Sequence, residues 1–295
     1  MTDATDTKRP LLVFLNEVAG GRGLLKAVRE RTEAGGVSQV IVAAPQNQPT
    51  IGTLIDRDEL YASARARVEV TMSVFADFGI DSVGEVLDPA PQLALGDAIR
   101  AHEPGEILYS ALYDTRFGIA RKDLVEWSRE LAEPEVKFTH IPVRVEEDAI
   151  RLDLAHVLVI ATQTVNAPDL VARLKERAAT RPHRYTIISP RSEAVSEDQV
   201  IRDLAATMAE LYRAEVDATG LPISAEDPFD AVRNAIEHYK VDEILISTFA
   251  GQQSRWLESD LVGRVRGITD KPVSHVEVGR APAAFASVVA EGGEH

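Results

Sequence analysis

The sequence predicts an α/β protein built twice, each copy a five-stranded, mainly parallel sheet flanked by helices. Three observations point there. First, "EILYSALYDTRFGIARKDLVEWSR" at 106–129 and "EILISTFAGQQSRWLESDLVGRVR" at 243–266 share one pattern, displaced by 137 positions without a gap. Eight of the 24 positions are identical (Glu106/Glu243, Ile107/Ile244, Leu108/Leu245, Ser110/Ser247, Asp123/Asp260, Leu124/Leu261, Val125/Val262 and Arg129/Arg266). Unrelated sequences would share roughly one or two, so duplication is the better reading. Second, the match extends outward: Pro91/Pro228, Ala98/Ala235 and Ile99/Ile236 keep the offset, "FTHIPV" aligns with "VSHVEV" after a slip of two, and "LVFLNEVAGG" aligns with "LVIATQTVNA". Third, compact β-rich runs alternate with stretches of helical spacing, the pattern of a parallel sheet covered on both faces.

The second copy gives the elements in order. "HVLVIAT" is a first strand, and "APDLVARLKERAA" a helix with Leu170, Leu174 and Ala178 on one face. "YTIISP" is a second strand, and "VIRDLAATMAELYRAE" a helix through Ile201, Leu204, Met208 and Leu211. A short strand falls near "GLPI". "DPFDAVRNAIEHY" starts a helix with Pro228 in its first turn and Phe229, Val232 and Ile236 as its buried stripe. "EILIST" is then a strand, "RWLESDLVGRVR" a helix and "VSHVEV" the last strand. The first copy is about eight residues longer between Pro45 and Val86, and "QNQPTIGTLIDRDELY" is assigned to the insertion, as a surface loop. The boundary falls in "RVEEDAIRLD", dividing the chain into 1–148 and 149–295.

Composition narrows the function classes. There is no cysteine, which excludes thiol catalysis, disulfides and cysteine-ligated zinc. The formal charge of −15, from 47 acidic and 32 basic residues, repels a polyanion, so nucleic acid is not an expected partner. Apolar runs such as "PLLVFL" are too short to cross a bilayer, and "MTDATDTKRP" lacks the apolar stretch of a signal peptide. No membrane association and a cytoplasmic location are expected.

Ligands of such sheets bind beyond the carboxyl ends of the strands, where strand order reverses. That directs attention to "NEVAGGRG" and "SALYDTRFG" in the first copy, and to "TQTVNAP" and "STFAGQQS" in the second. With "VDEILISTFAGQQSRWLESDLVGRVRGITDKPVSHVEV", this order of elements resembles the universal stress protein family in tandem form, over nearly the whole chain. The resemblance implies a flavodoxin-like or Rossmann-like fold in each repeat. It also implies an internal pseudo-dimer, with "FTHIPV" and "VSHVEV" facing each other across a pseudo-two-fold axis.

ATP-binding members carry Gly, two residues, Gly, nine residues, then Gly and Ser or Thr; the glycines let backbone amides approach the phosphates at a helix start. This chain keeps the spacing and not the chemistry. The positions are Ser247, Ala250, Asp260 and Leu261 in the second copy, and Ser110, Tyr113, Asp123 and Leu124 in the first. A carboxylate therefore stands where a phosphate oxygen would sit, and two unit charges about 4 Å apart repel by roughly 4 kcal/mol at an effective dielectric of 20. An ATP- or AMP-type nucleotide is the ligand implied by the resemblance, and Asp123 and Asp260 count against it. The strand-one position often held by Asp in nucleotide-binding members is Asn16 or Thr162.

The residues themselves nominate further ligand contacts. "AGGRG" at 19–23 follows a strand and opens a helix, so the amides of Gly20 and Gly21 could cradle an anion, although a plain tight turn accounts for them as well. Ser247, Thr248 and Gly251 lie at or just past a strand end; Ser254 is a candidate cap and Arg255 a candidate anion clamp. Ser110 and Arg116 are the first-copy candidates. For the loop residues, a purely structural role is equally well supported. His140 and His275 lie in strand runs that suit packing, and no zinc-binding or serine-nucleophile motif is present. These features lead to a non-catalytic binding or regulatory protein with degenerate phosphate loops. Two alternatives stand beside it: a nucleotide switch or hydrolase around Asn16, Gly20, Gly21 and Ser110, with Asp123 holding a divalent metal, and a structural interaction module. A further homo-oligomer or a protein partner is compatible with all three.

Overall fold

The computed structural model describes residues 8–16, 19–46, 57–88, 91–111, 118–132, 134–142, 155–190, 195–223, 228–238, 241–251 and 260–279, with the backbone alone at 91–92, 118–124, 142 and 238. The first half runs β1 (Arg9–Leu15), α1 (Arg22–Glu33), β2 (Val37–Pro45), α2 (Arg57–Asp77), β3 (Ser82–Leu87), α3 (Pro91–His102), β4 (Glu106–Ala111), α4 (Gly118–Ala132) and β5 (Lys137–Pro142). The second half repeats it: β6 (Ala155–Ile160), α5 (Pro168–Thr180), β7 (His183–Pro190), α6 (Glu197–Arg213), β8 (Asp217–Ile223), α7 (Pro228–His238), β9 (Glu243–Phe249), α8 (Leu261–Ile268) and β10 (Val273–Val278). Each half holds a five-stranded sheet, ordered β3-β2-β1-β4-β5 and β8-β7-β6-β9-β10, and every pairing is parallel. This is the expected flavodoxin-like α/β arrangement, present twice.

Strand alternation sorts the two faces. Leu12, Phe14, Ile107 and Tyr109 pack outward under α3 and α4, while Leu158, Ile160, Ile244 and Ile246 pack outward with α7 and α8. The inner faces meet one shared core. Leu11, Val13 and Leu15 of β1 join Val74 and Phe75 of α2, which continue into Leu204, Met208 and Leu211 of α6 and Val157 and Val159 of β6. Burying each such side chain contributes about 1.5–3 kcal/mol relative to exposure, so the join between the halves is core rather than a wetted contact.

This corrects the expected pseudo-dimer through the last strands. β5 and β10 are outer strands of separate sheets, pairing with β4 and β9. The halves join instead through α2 and α6, whose apolar faces belong to the same core. Glycine in the adjoining edge strand lets each helix come close. A Cβ at Gly84 would lie 2.4 Å from the Met72 sulfur and 2.5 Å from Val68, and one at Gly220 would lie 2.7 Å from Leu204 and 2.8 Å from the Met208 sulfur. Polar contacts rim the join: Arg22 to Asp217 at 2.9 Å, Arg65 to Asp198 at 3.2 Å and Arg213 to Asp77 at 3.7 Å.

The assigned surface insertion is also partly helix. Residues 57–61 form the first turns of α2, which has 21 residues against 17 in α6; residues 47–56 lie outside the described residues. The glutamate that opens each "EIL" repeat acts at the amino end of its sheet. Glu106 accepts from Arg31 at 2.8 Å and Thr139 at 2.9 Å, and pairs with Lys137 at 3.1 Å. Glu243 is bound by Arg177 and accepts from Ser274 at 2.8 Å. In both halves a helix is thereby tied to the two neighbouring strands, which gives the recurrent Glu a structural explanation.

Candidate functional site

Strand order reverses between β1 and β4, and again between β6 and β9, so each half has a switch point, the place beyond which ligands of such sheets bind. In the first half the Asn16 amide donates to the Ser110 carbonyl at 2.9 Å, closing the strand ends together. Asn16 and Ser110 are both buried. The loop behind them is held from two directions. The Gly20 amide donates to the Thr71 hydroxyl of α2 at 3.3 Å, and the single proton of the Tyr212 hydroxyl of α6 is shared between the Ala218 carbonyl at 2.7 Å and the Gly20 carbonyl at 3.2 Å. A Cβ at Gly20 would lie 2.0 Å from the Leu24 Cδ2 and 3.1 Å from its Cβ, so any side chain there needs the buried Leu24 to move. The Gly20 amide proposed for an anion is thus directed at Thr71, while the Gly21 carbonyl accepts the Leu24 and Leu25 amides at the start of α1.

Arg67, on α2, is wholly buried. Its guanidinium donates to the Asn16 carbonyl at 3.1 Å and to the Pro45 carbonyl at 2.6 Å, bridging the ends of β1 and β2. A planar fork of N–H donors suits two carbonyls better than an ammonium would.

The second half solves the same problem with smaller groups. The Thr162 hydroxyl donates to the Pro190 carbonyl at 2.7 Å, and the Thr164 hydroxyl to the Ser247 carbonyl at 3.1 Å. Thr207, on α6 as Thr71 is on α2, donates to Val165 at 2.7 Å and pins the corresponding loop. The hydroxyls of Ser110, Ser189 and Ser247 are buried with no hydrogen-bond partner among the described residues.

The other nominated residues separate. Thr248 is buried and hydrogen-bonded to the His275 ring at 2.8 Å, so strand alternation turns it to the outer face, away from Ser247. Ala111 occupies the corresponding place in the first half, and the His140 Nε2 is without a partner there. Burial first, and Arg129 second, keep the His140 pKa below its ordinary value. Gly251 sits at φ +70° with nothing within 4 Å of a Cβ, so its backbone conformation explains the glycine. Asp260 caps α8, its carboxylate accepting the Gly263 amide at 3.1 Å from a left-handed conformation that Asp tolerates. Arg116, Ser254 and Arg255 lie outside the described residues, as does the side chain of Asp123.

Sequence reading missed Arg67, Thr71, Thr164, Ser189, Thr207 and Tyr212. A signal for part of this was present: Thr71-Met72 and Gly84 recur as Thr207-Met208 and Gly220 at a common offset of 136.

Together these features define an α/β protein with two five-stranded parallel sheets, each with a switch point at the same place in its strand order. No family model matches the chain. No curated protein matches it either. Among solved structures it is similar to a universal stress protein in complex with cAMP (19% identity, 42% of this chain and 98% of that one, TM-score 0.33). It is also similar to a universal stress protein from Archaeoglobus fulgidus DSM 4304 (16%, 91% and 96%, 0.34) and a putative one from Pseudomonas aeruginosa UCBPP-PA14 (13%, 94% and 95%, 0.29). The assignment of fold rests on strand order and pairing, not on these scores.

Proposed function

We propose that the chain is a universal stress protein-like, non-catalytic binding and regulatory protein of two domains, 1–148 and 149–295, working in the cytoplasm. It holds a nucleoside-type ligand at a switch point and disfavours a polyphosphate tail. The observation that carries the reading is Ser247, a buried hydroxyl without a partner at the switch-point strand end of the second half. A buried polar group left unpaired is costly, and a ligand that hydrogen-bonds it recovers that cost. Against polyphosphate stands Asp260, whose carboxylate takes an amide at the start of α8. A phosphate there meets a like charge instead of a free donor.

Titration calorimetry with adenosine, AMP and ATP tests this. Adenosine or AMP binds more tightly than ATP, and phosphate analysis shows no turnover. Asp260→Asn keeps a capping oxygen and a residue suited to the left-handed backbone while removing the charge. Because Asp260 is exposed, the repulsion is taken in bulk water, about 1 kcal/mol at 4 Å, so this change improves ATP binding about fivefold. Metal-dependent nucleotide hydrolysis, or ATP binding at micromolar concentration by the unaltered chain, would sink the reading.

A further inference from the structure

The two switch points are chemically unequal, and the difference lies in a row of three inner-face residues. In the second half, Ile160 of β6 stands in register with Ile188 of β7 and Ile246 of β9. One residue further along, Ala161 is therefore flanked by Ser189 and Ser247, all three buried. In the first half Leu15 of β1 is in register with Ser110, and Phe14 with Ala43, so the corresponding row is Ala44, Leu15 and Ser110. The small centre and two hydroxyls of one row become a bulky centre and a single hydroxyl in the other. Arg67 adds to the filling, its guanidinium bridging the carbonyls of Asn16 and Pro45 beside Ala44. In the second half the matching proline carbonyl, Pro190, is met by Thr162 from within the strand-end loop, with no long side chain brought in from α6.

We infer that ligand binding is confined to the second half. The Ser189–Ala161–Ser247 row is the floor of the site, and Leu15 with Arg67 closes the first-half counterpart. The floor is uncharged, and its two hydroxyls stand two strand spacings apart, about 10 Å. It suits an uncharged ligand with separated donor and acceptor groups, such as the base and ribose of a nucleoside. Thr162 and Thr164 hold the surrounding backbone, leaving the serine hydroxyls for the ligand.

This inference rests on the binding reading above, and its test separates the two. Adenosine is titrated into the full chain and into four variants. The unaltered chain takes one equivalent. Ala161→Leu, which gives the second row the centre of the first, loses at least tenfold in affinity, as do Ser189→Ala and Ser247→Ala; Ser110→Ala stays within twofold. Thermal unfolding without adenosine provides a readout independent of binding. Ser189→Ala and Ser247→Ala, which remove unpaired buried hydroxyls, leave the midpoint unchanged or raise it. Two equivalents per chain, or loss of binding in Ser110→Ala alone, overturns the inequality and leaves the binding reading standing. A chain that binds no adenosine overturns both. A midpoint lowered by several degrees in both serine variants overturns the claim that the hydroxyls are held for a ligand.

Discussion

Replacing Tyr212 by Phe tests whether the halves behave as one folding unit. Tyr212 is buried on α6, and its hydroxyl reaches carbonyls in both halves, Gly20 at 3.2 Å and Ala218 at 2.7 Å. Burial drives its pKa well above the ordinary value, so the group acts only as a neutral donor. Phe keeps the ring and removes that donor, and a buried carbonyl losing its partner costs about 1–2 kcal/mol. If the shared core makes unfolding a single transition, the unfolding entropy of 295 residues is about 0.6 kcal/mol per kelvin, and the midpoint falls about 2–3 °C. Were the halves independent, about half that entropy would apply, and one of two transitions would move by about 4–6 °C while the other stayed. Differential scanning calorimetry reads both. Two transitions of which one moves, or a loss below about 0.5 kcal/mol, would refute the shared-core argument.

Three more outcomes follow from the packing. Gly220→Ala places a Cβ 2.7 Å from Leu204 and 2.8 Å from the Met208 sulfur, and overpacking of this kind costs about 1–3 kcal/mol, measured by urea unfolding. Arg67→Met strands the Asn16 and Pro45 carbonyls and costs about 3 kcal/mol by the same measurement, whereas substitution of exposed Lys26 stays within about 0.5 kcal/mol. For Glu106, burial alone would raise the carboxyl pKa, but Arg31, Thr139 and Lys137 outweigh it and hold it below the ordinary 4.5. A depressed folded-state pKa contributes stability above the unfolded value and loses it as pH falls through the folded one. Glu106→Gln therefore lowers stability at pH 7 and flattens its decline below about pH 4.5.

The sheet and its helices were legible because their signals are periodic. "HVLVIAT" and "EILIST" give β6 and β9, and the face formed by Ile201, Leu204, Met208 and Leu211 gives α6. The joining surface was not legible. The apolar side of α2 and α6 that meets the other half reads the same as the side that meets their own sheets, because one continuous core covers both. The long first-half helix was obscured for a different reason: its early turns, "RDELY", carry charge and an exposed Tyr61 rather than an apolar stripe. Within the candidate site, Asn16, Ser110, Thr162 and Ser247 were found from their place at strand ends. Arg67 was missed because a lone arginine on a helix reads as solvated until its burial is known.

The duplication exposes which features the scaffold needs and which are free to differ. Both halves keep a glutamate fastening a helix to the sheet at its amino end, a threonine pinning the loop after the first strand, and a methionine packed over a glycine in the edge strand. Those shared contacts are enough to explain the common strand order. At the carboxyl end the halves part: Leu15, Ala44 and Arg67 on one side, Ala161, Ser189 and Asp203 on the other. Asp203 accepts from Gln199 of its own helix at 2.8 Å and from Asn166 in the loop after β6 at 3.5 Å, while Arg67 crosses to the backbone carbonyls of two strand ends. Since the packing rules of the repeat are met in both halves, the scaffold alone does not account for two buried hydroxyls left unpaired around an alanine. Ala161→Leu gives the second row the centre that the first half carries, and reading it both by unfolding and by adenosine titration separates a packing cost, about 1–3 kcal/mol for an overfilled core, from a loss of binding.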